Sequence, residues 1–198
     1  MANIMINEIC NQRCPYCFAA EFVNKNPNNM SFANFKKAVK FACTSQVVNK
    51  LGIIGGEPLL HPEVDTFVKY AAKIRKVKRV IVFTNGVHLL EHPEILQNKK
   101  VAFLVNVNSP EDVGESNFQK TVQTIDYFYK NKMLNRLTIG LNIYSKTLDY
   151  SFFINLADKY NFPRVRLSIV VPAYGAKKNG YQHFEDLKET TLKIVKKL

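Results

Sequence analysis

Three cysteines near the start of the chain are the residues best suited to chemistry. Cys10, Cys14 and Cys17 follow a C-x3-C-x2-C spacing within eight residues. A short loop with this spacing can turn three thiolates toward one metal centre. Four-iron clusters normally take four cysteine ligands, so three thiolates would leave one iron open to a small molecule.

Zinc binding and disulfide formation are the alternatives to an iron-sulfur cluster. Zinc would want a fourth ligand, and the four histidines lack the spacing of a ligand pair. A disulfide framework is untypical of a chain of 198 residues without a secretory signal. The remaining cysteine, Cys43, lies in a helical pattern and is predicted to be a buried apolar residue. The cysteines therefore favour a cluster held by three residues.

The elements that must position these cysteines alternate between strand and helix along the whole chain. Six such units predict a parallel sheet with right-handed crossovers, in one domain covering residues 1–198. The predicted strands cover residues 3–9, 51–54, 80–83, 101–108, 137–144 and 165–171. Predicted helices follow them, including one opened by Pro62, a short one over 93–97 and a final one from about His183.

The strand patterns bear on whether this sheet stays open or curves into a barrel. Apolar residues alternate with polar or small ones in residues 104–108, 137–144 and 166–170. A central parallel strand covered by helices on both faces reads as almost continuously apolar instead. One polar face therefore favours a barrel whose lumen holds something polar.

Two further motifs follow predicted strands directly. Gly55-Gly56-Glu57-Pro58 comes after the second strand, and Thr84-Asn85-Gly86 comes after the third. The carboxyl ends of parallel strands are where α/β barrels place their sites, and the cysteine loop follows the first strand in the same way. Because Gly55 and Gly56 have no side chains, a ligand can approach their backbone closely, although such a pair is also common in plain turns.

The segment from Asn7 to Cys17, which includes Asn11 and Tyr16, resembles the signature of the radical S-adenosylmethionine (SAM) superfamily. The Gly-Gly-Glu-Pro segment about forty residues later is similar to that family's pattern as well. The resemblance implies an α/β fold, a partial (βα)6 TIM-like barrel of parallel strands. It also implies a [4Fe-4S] cluster on Cys10, Cys14 and Cys17, whose open iron takes the amine and carboxylate of SAM.

The same resemblance implies contacts with SAM around the barrel. It implies that the Gly55–Pro58 segment, with Glu57 as part of the turn, binds the amino group of the SAM methionine moiety. It also implies that Asn108 or Ser109 lies near the SAM ribose. Residues 170–173, including Val171, would flank the adenine. Asn85 at the end of strand three and Asn142 on the polar face of strand five are further candidates. Arg166 can hold an acidic group of SAM or substrate, or form an internal ion pair with Glu8 or Asp112.

Charge and composition limit the partners and the location. The formal net charge of +12 indicates either an anionic partner, such as RNA or an acidic peptide, or lysine-rich solvated helix faces. We find no apolar run of about 20 residues that a membrane span needs and no basic signal-peptide head. The sequence therefore predicts a cytoplasmic protein that does not bind membranes. Because the chain ends inside a helical pattern, we expect either a minimal member or a truncated core.

The predicted activity is reductive cleavage of SAM to a 5′-deoxyadenosyl radical, which abstracts hydrogen from a substrate. A six-stranded barrel cannot close fully, so we expect an open side that admits a peptide or protein substrate. An external one-electron reductant of the flavodoxin or ferredoxin type would be needed. The alternatives are a radical SAM enzyme that modifies RNA or a small metabolite, and a non-catalytic iron-sulfur protein that only transfers electrons.

Overall fold

The structure, a computed structural model, describes residues 1–25, 27–44, 49–170 and 184–198. The chain divides into two compact units. The first comprises Met1–Gln12 and Ala19–Val105, and the second comprises Arg13–Phe18 and Asn106–Leu198. The cysteine loop therefore contributes Cys10 to the first unit and Cys14 and Cys17 to the second.

Six parallel strands form one sheet in chain order. They are β1 (Ala2–Met5), β2 (Lys50–Ile54), β3 (Arg79–Thr84), β4 (Val101–Asn106), β5 (Leu137–Ile143) and β6 (Val165–Ile169). In the first unit Ile4 pairs with Ile53, Ile53 with Val82, and Val82 with Phe103. In the second unit Asn142 of β5 pairs with Ser168 of β6. The order leaves β1 and β6 as its two ends, which agrees with the predicted six-stranded parallel arrangement.

Helices follow the strands in the predicted alternation. They are α1 (Phe32–Thr44), α2 (Val64–Lys73), α3 (Pro93–Gln97), α4 (Pro110–Val113), α5 (Glu115–Lys130), α6 (Ser151–Tyr160) and α7 (Phe184–Val195). Short 3-10 turns lie at Pro58–Leu60, Leu89–Glu91 and Leu134–Arg136. Within the described residues, no helix is long and apolar enough to cross a membrane.

The core of the first unit forms where the apolar stripes of α1 and α2 pack together. Phe35 and Phe67 are fully buried, and their rings stack with centroids 4.4 Å apart. Alternate residues of β3, Val80 and Val82, are also fully buried. Burying each such side chain contributes about 1.5–3 kcal/mol.

The core of the second unit combines the apolar face of β5 with α5 and α6. Ile139 and Ile143 are fully buried on β5, while the side chain of Asn142 between them is half-buried. Phe128 and Phe153 are the large buried side chains of the two helices. The alternation of apolar and polar residues that the sequence predicted for this strand is therefore present.

Several predicted element boundaries were wrong. β1 ends at Met5, not at residue 9, because the chain beyond it bonds to the turn after β2. α2 begins at Val64, since a separate 3-10 turn at Pro58–Leu60 precedes it, and α4 was not predicted. Cys43 lies on α1 as expected but is only half-buried. The predicted helix start at His183 and the predicted strand end at Val171 lie outside the described residues.

Candidate active site at the carboxyl ends of the strands

A buried carboxylate organises the turn after β2. Glu57 is 1% exposed, and its Oε1 accepts hydrogen bonds from Leu59 N (3.1 Å) and Thr84 Oγ1 (2.8 Å). Its Oε2 accepts from Asn85 N (2.7 Å). Burial raises the pKa of Glu57, and the hydrogen bonds from Asn85, Thr84 and Leu59 oppose that rise. The Glu57 carboxylate therefore connects the ends of β2 and β3 by hydrogen bonds and stabilises the turn.

The same turn is hydrogen-bonded to the chain that follows β1. Gly56 N donates to Asn7 O (3.1 Å), and Glu57 N donates to Ile9 O (2.7 Å). Asn7 Nδ2 donates in return to Glu57 O (2.8 Å). Three hydrogen bonds therefore fix the Gly55–Pro58 turn against the residues that lead into Cys10.

Gly55 and Gly56 are required by the chain itself. A Cβ atom on Gly55 would lie 1.9 Å from Asn7 Oδ1, and one on Gly56 would lie 2.4 Å from Ile9 O. The segment before Cys10 therefore lies against the Cβ positions of both glycines, and the predicted close approach of a ligand to their backbone stays a prediction. Pro58 is buried and opens the 3-10 turn, where its missing N–H leaves no donor unpaired.

Asn85 connects the end of β3 to the cysteine loop within the first unit. Its Nδ2 donates to Asn11 Oδ1 (2.8 Å), and its Oδ1 accepts from Val87 N (3.0 Å). Asn11 directly follows Cys10 in the chain. The predicted residues Gly56, Glu57 and Asn85 therefore belong to one hydrogen-bonded group that includes the Cys10 side of the loop, and Gly55 and Pro58 lie in the same turn.

Asn24 holds the backbone of Cys10 and was missed by sequence reasoning. Its Oδ1 accepts from Cys10 N (2.9 Å), and its Nδ2 donates to Cys10 O (2.8 Å). Asn24 has a φ of 62°, a left-handed conformation that asparagine tolerates better than most residues. The asparagine-rich turn at positions 24–29 was the available signal, because such side chains commonly bond to nearby backbone.

In the second unit, polar side chains surround Cys14. Asn108 Nδ2 donates to Cys14 Sγ (3.4 Å), and the hydroxyl of Tyr16 donates to Asn108 Oδ1. The Tyr16 and Tyr144 rings lie 5.1 Å apart, and Tyr144 Oη donates to Asp112 Oδ2 (2.5 Å). Two residues predicted to bind SAM meet at Tyr16, because the side chain of Asn142 also hydrogen-bonds to it.

The two tyrosines of this group stay protonated over the physiological range. Burial is the main cause of the raised pKa of Tyr16, and the nearby charge of Cys14 adds to it. Burial also raises the pKa of Tyr144, with further contributions from its hydrogen bond and proximity to Asp112. Both hydroxyls therefore act as hydrogen-bond donors.

The other predicted residues of the second unit have different surroundings. Ser109 is buried, and its Oγ accepts from Asp112 N (3.2 Å) at the start of α4. Arg166 lies on β6 opposite Gly140, and its side chain is exposed. Val171 lies outside the described residues. The contacts of these residues with SAM stay predictions.

The thiols fit an iron-sulfur cluster by their chemistry. Cys10, Cys14 and Cys17 are half-buried cysteine thiols. Gln12 N donates to Cys10 Sγ (3.4 Å), and hydrogen bonds to sulfur of this kind are typical of iron-sulfur ligands. Over the described ranges, no three His, Cys, Asp or Glu side chains are grouped as a metal site, so the ligands are assigned by residue type.

Three of the four histidines have protein partners. His61 bonds through Nε2 to Met30 O (2.9 Å), and His88 bonds to Glu91 (3.0 Å). His92 bonds to Asp65 Oδ2 (2.7 Å). His183 lies outside the described residues. These contacts offer no support for a zinc site.

A surface groove of about 710 Å³ lies on α1 and α2 in the first unit. Its lining includes Lys36, Lys40, Cys43 and Tyr70, and none of the predicted site residues. The groove is therefore separate from the residues that the motifs indicated.

Comparison with known proteins identifies the family. A family model described as the Radical SAM superfamily matches residues 4–150. The chain therefore belongs to the radical SAM superfamily, as the cysteine and Gly-Gly-Glu-Pro motifs predicted. The family's cofactors are a [4Fe-4S] cluster and SAM, so the predicted cofactors and the assignment to the radical SAM enzymes are confirmed.

Individual relatives and structures agree with this assignment. The GTP 3′,8-cyclase of Clostridium botulinum strain Hall is 28% identical over 202 residues, which cover 93% of this chain and 61% of that protein. Streptococcus suis SuiB bound to S-adenosylmethionine has a TM-score of 0.73 and 17% identity, covering 98% of this chain and 47% of SuiB. SuiB bound to its precursor peptide SuiA has the same TM-score, with 15% identity and coverage of 98% and 46%.

These comparisons also bear on the fold and the extent of the chain. The likeness to SuiB confirms the predicted fold, an unclosed (βα)6 barrel of parallel strands. The chain spans about three-fifths of the length of the GTP 3′,8-cyclase it matches.

Proposed function

We propose that this chain binds a [4Fe-4S] cluster through Cys10, Cys14 and Cys17 and binds SAM beside the Gly55–Pro58 turn, to abstract hydrogen from a peptide or protein. When bound and reduced, the cluster supplies the electron that cleaves SAM to methionine and a 5′-deoxyadenosyl radical. The protein contributes binding, orientation and exclusion of water.

The single observation that carries the proposal is the hydrogen-bonded group around Glu57. Its carboxylate accepts from Thr84 and Asn85 at the end of β3, and Asn85 bonds to Asn11 beside Cys10. A strand-end turn, a second strand end and one side of the cysteine loop are thereby held in fixed register. In parallel α/β folds this edge of the sheet carries the site. A plain strand-to-helix turn has no need of a buried carboxylate tied to a metal-type loop.

The chain's own groups have distinct tasks in this proposal. The carboxylate of Glu57 holds the turn, because both of its oxygens accept hydrogen bonds from the protein. Backbone groups of the Gly55–Pro58 turn, and not the Glu57 side chain, therefore bind the methionine end of SAM in this proposal. Asn85, Asn108, Ser109, Asn142, Arg166 and Val171 are the candidates for the rest of SAM.

A peptide or protein substrate is supported by two observations. SuiB, which resembles this chain in fold, has been crystallised with its precursor peptide SuiA. Among the residues that the structure describes, β1 and β6 stand at opposite ends of the strand order, so a bulky substrate can present one residue to the radical. The net charge of +12 favours an acidic peptide.

A nucleotide such as GTP is the second candidate substrate. The observation that favours it is the 28% identity to GTP 3′,8-cyclase over 93% of this chain. The net charge of +12 suits a triphosphate as well as an acidic peptide, and RNA is a third anionic class. Each substrate requires an external one-electron reductant of the flavodoxin or ferredoxin type, and we propose that the enzyme works in the cytoplasm.

The first experiment tests the cluster and its ligands. Anaerobic reconstitution should give about four irons and four sulfides per chain. Replacing Cys10, Cys14 or Cys17 by Ala should abolish the cluster, while the control variant Cys43→Ala should keep it. Stoichiometric zinc without iron uptake in protein purified anaerobically contradicts the proposal.

The second experiment tests turnover and substrate. Reduction in the presence of SAM should yield 5′-deoxyadenosine, whereas a simple electron carrier would yield none. Acidic peptides encoded beside the gene, GTP and RNA are then compared for stimulation of that product. Stimulation by GTP alone contradicts the peptide proposal. For RNA, the logarithm of the binding constant would fall linearly with the logarithm of the salt concentration, with a slope set by the number of phosphates that the protein neutralises.

A further inference from the structure

We infer that Asn108, oriented by Tyr16, raises the reduction potential of the [4Fe-4S] cluster by donating a hydrogen bond to the Cys14 thiolate. This inference rests on the proposed cluster ligands and gives Asn108 a role other than the predicted contact with the SAM ribose. It concerns side chains of the second unit only.

The orientation of the Asn108 amide follows from two of its hydrogen bonds. The Tyr16 hydroxyl donates to Oδ1, and Nδ2 lies 3.4 Å from Cys14 Sγ. Asn108 is 7% exposed, so water has little access to either end of the amide. Because a hydroxyl donor occupies the oxygen end, the NH2 end must face the sulfur. Tyr16 is thus a positioning residue for the Asn108 donor.

Further contacts hold Tyr16 and the segment after Asn108. The Tyr16 ring packs against the Tyr144 ring at 5.1 Å, and Tyr144 donates to Asp112 Oδ2 at 2.5 Å. The backbone of Asp112 donates to Ser109 Oγ at 3.2 Å, which fixes the residue next to Asn108. The N–H donor therefore lies in a packed polar group and not on a mobile surface side chain.

The expected effect has a simple electrostatic cause. An N–H group directed at a thiolate stabilises its negative charge, and the reduced cluster carries one more electron than the oxidised one. Hydrogen bonds to the sulfurs are among the factors that set iron-sulfur potentials. Removing the Asn108 donor should therefore make the cluster harder to reduce. One donor at Cys10 is the backbone N–H of Gln12, which a side-chain substitution does not remove.

The experiment is a redox titration of the reconstituted cluster, followed by electron paramagnetic resonance. Asn108→Leu should lower the equilibrium constant for one-electron reduction about tenfold, a shift of about 59 mV toward negative potential. Tyr16→Phe keeps the ring, frees the amide and removes the hydrogen bond of the Tyr16 hydroxyl to Cys14, so a shift of the same sign is expected. Tyr129→Phe is the matched control, because it removes an exposed tyrosine hydroxyl on α5, and its potential should equal that of the wild type.

The possible outcomes separate this inference from the proposed function. An intact cluster of unchanged potential in Asn108→Leu overturns the inference and leaves the proposed function standing. Unchanged potential together with weaker SAM binding would instead support the predicted ribose contact. If Asn108→Leu fails to take up a cluster, Tyr16→Phe decides, and an unchanged potential there overturns the inference. A wild-type protein without a cluster contradicts the proposed function itself.

Discussion

The substitution Glu57→Gln tests whether the buried carboxylate holds the candidate site together. Glutamine retains one acceptor oxygen, which can serve both Leu59 N and Thr84 Oγ1. In the variant the glutamine NH2 group faces Asn85 N in place of Glu57 Oε2. Both groups are hydrogen-bond donors, so the hydrogen bond that Asn85 N made to the carboxylate is lost. Leaving a buried donor unsatisfied costs about 1–3 kcal/mol. For a chain of this size that loss lowers the melting temperature by roughly 2–12 °C, at about 2–4 °C per kcal/mol.

The effect of Glu57→Gln should depend on pH with a definite sign. Burial raises the pKa of Glu57 in the folded protein above the ordinary carboxyl value of about 4.3. The stabilisation of the folded protein that comes from this raised pKa is therefore fully present at pH values below the ordinary carboxyl pKa. It declines as the pH rises through the folded-state pKa. Glutamine does not titrate, so the stability gap between wild type and variant should be largest near the ordinary carboxyl pKa and smaller at higher pH.

Denaturant unfolding of the two reduced proteins at several pH values measures this gap. Glu21→Gln is the control, since Glu21 is exposed and the same change there should alter stability by less than about 0.5 kcal/mol. Equal stability of wild type and Glu57→Gln at every pH would refute the role assigned to the carboxylate, and a gap that widens as the pH rises would refute the raised pKa.

Two further substitutions test the contacts between the turn and the cysteine loop. Gly56→Ala places a Cβ 2.4 Å from Ile9 O, so we expect lower thermal stability and reduced iron uptake together; normal values of both would contradict the close packing. Asn24→Ala removes two hydrogen bonds to the Cys10 backbone and should cost about 1–3 kcal/mol of unfolding free energy, measured by denaturant unfolding. Asn28→Ala, at an exposed neighbouring position whose backbone oxygen accepts from Glu8 N, is its control and should be close to wild type.

The fold was largely predictable because apolar spacing reports burial directly. Val80 and Val82 alternate with half-buried residues on β3, and Phe35 and Val39 mark the buried stripe of α1. The end of β1 was not predictable in this way. Beyond Met5 the backbone hydrogen-bonds to the turn after β2. The local pattern of apolar residues does not show whether a backbone group bonds to a neighbouring strand or to a turn.

The candidate site was predictable in position but not in detail. Parallel strands end at one edge of the sheet, so Glu57 and Asn85 were expected near the cysteine loop. The direction of the Glu57 side chain depends on Thr84 and Asn85, which lie 27 and 28 residues further along the chain. Residue type and strand position do not encode such a pairing. For the same reason the close packing of Asn7 against Gly55 was not predictable.

Asparagine amides explain much of what sequence reasoning missed. Asn7, Asn24 and Asn85 bond to backbone or to another asparagine in the first unit, and Asn108 bonds to Cys14 in the second. An amide both donates and accepts, so it can satisfy buried backbone and thiolate groups without adding a charge. Charged side chains in these positions would need desolvation and would change the electrostatics of a cluster whose ligands are already negative. In the sequence Asn7 and Asn24 look like ordinary residues of a strand and a turn, and Asn85 and Asn108 were predicted only as contacts of SAM, so the hydrogen bonds of all four were not predictable.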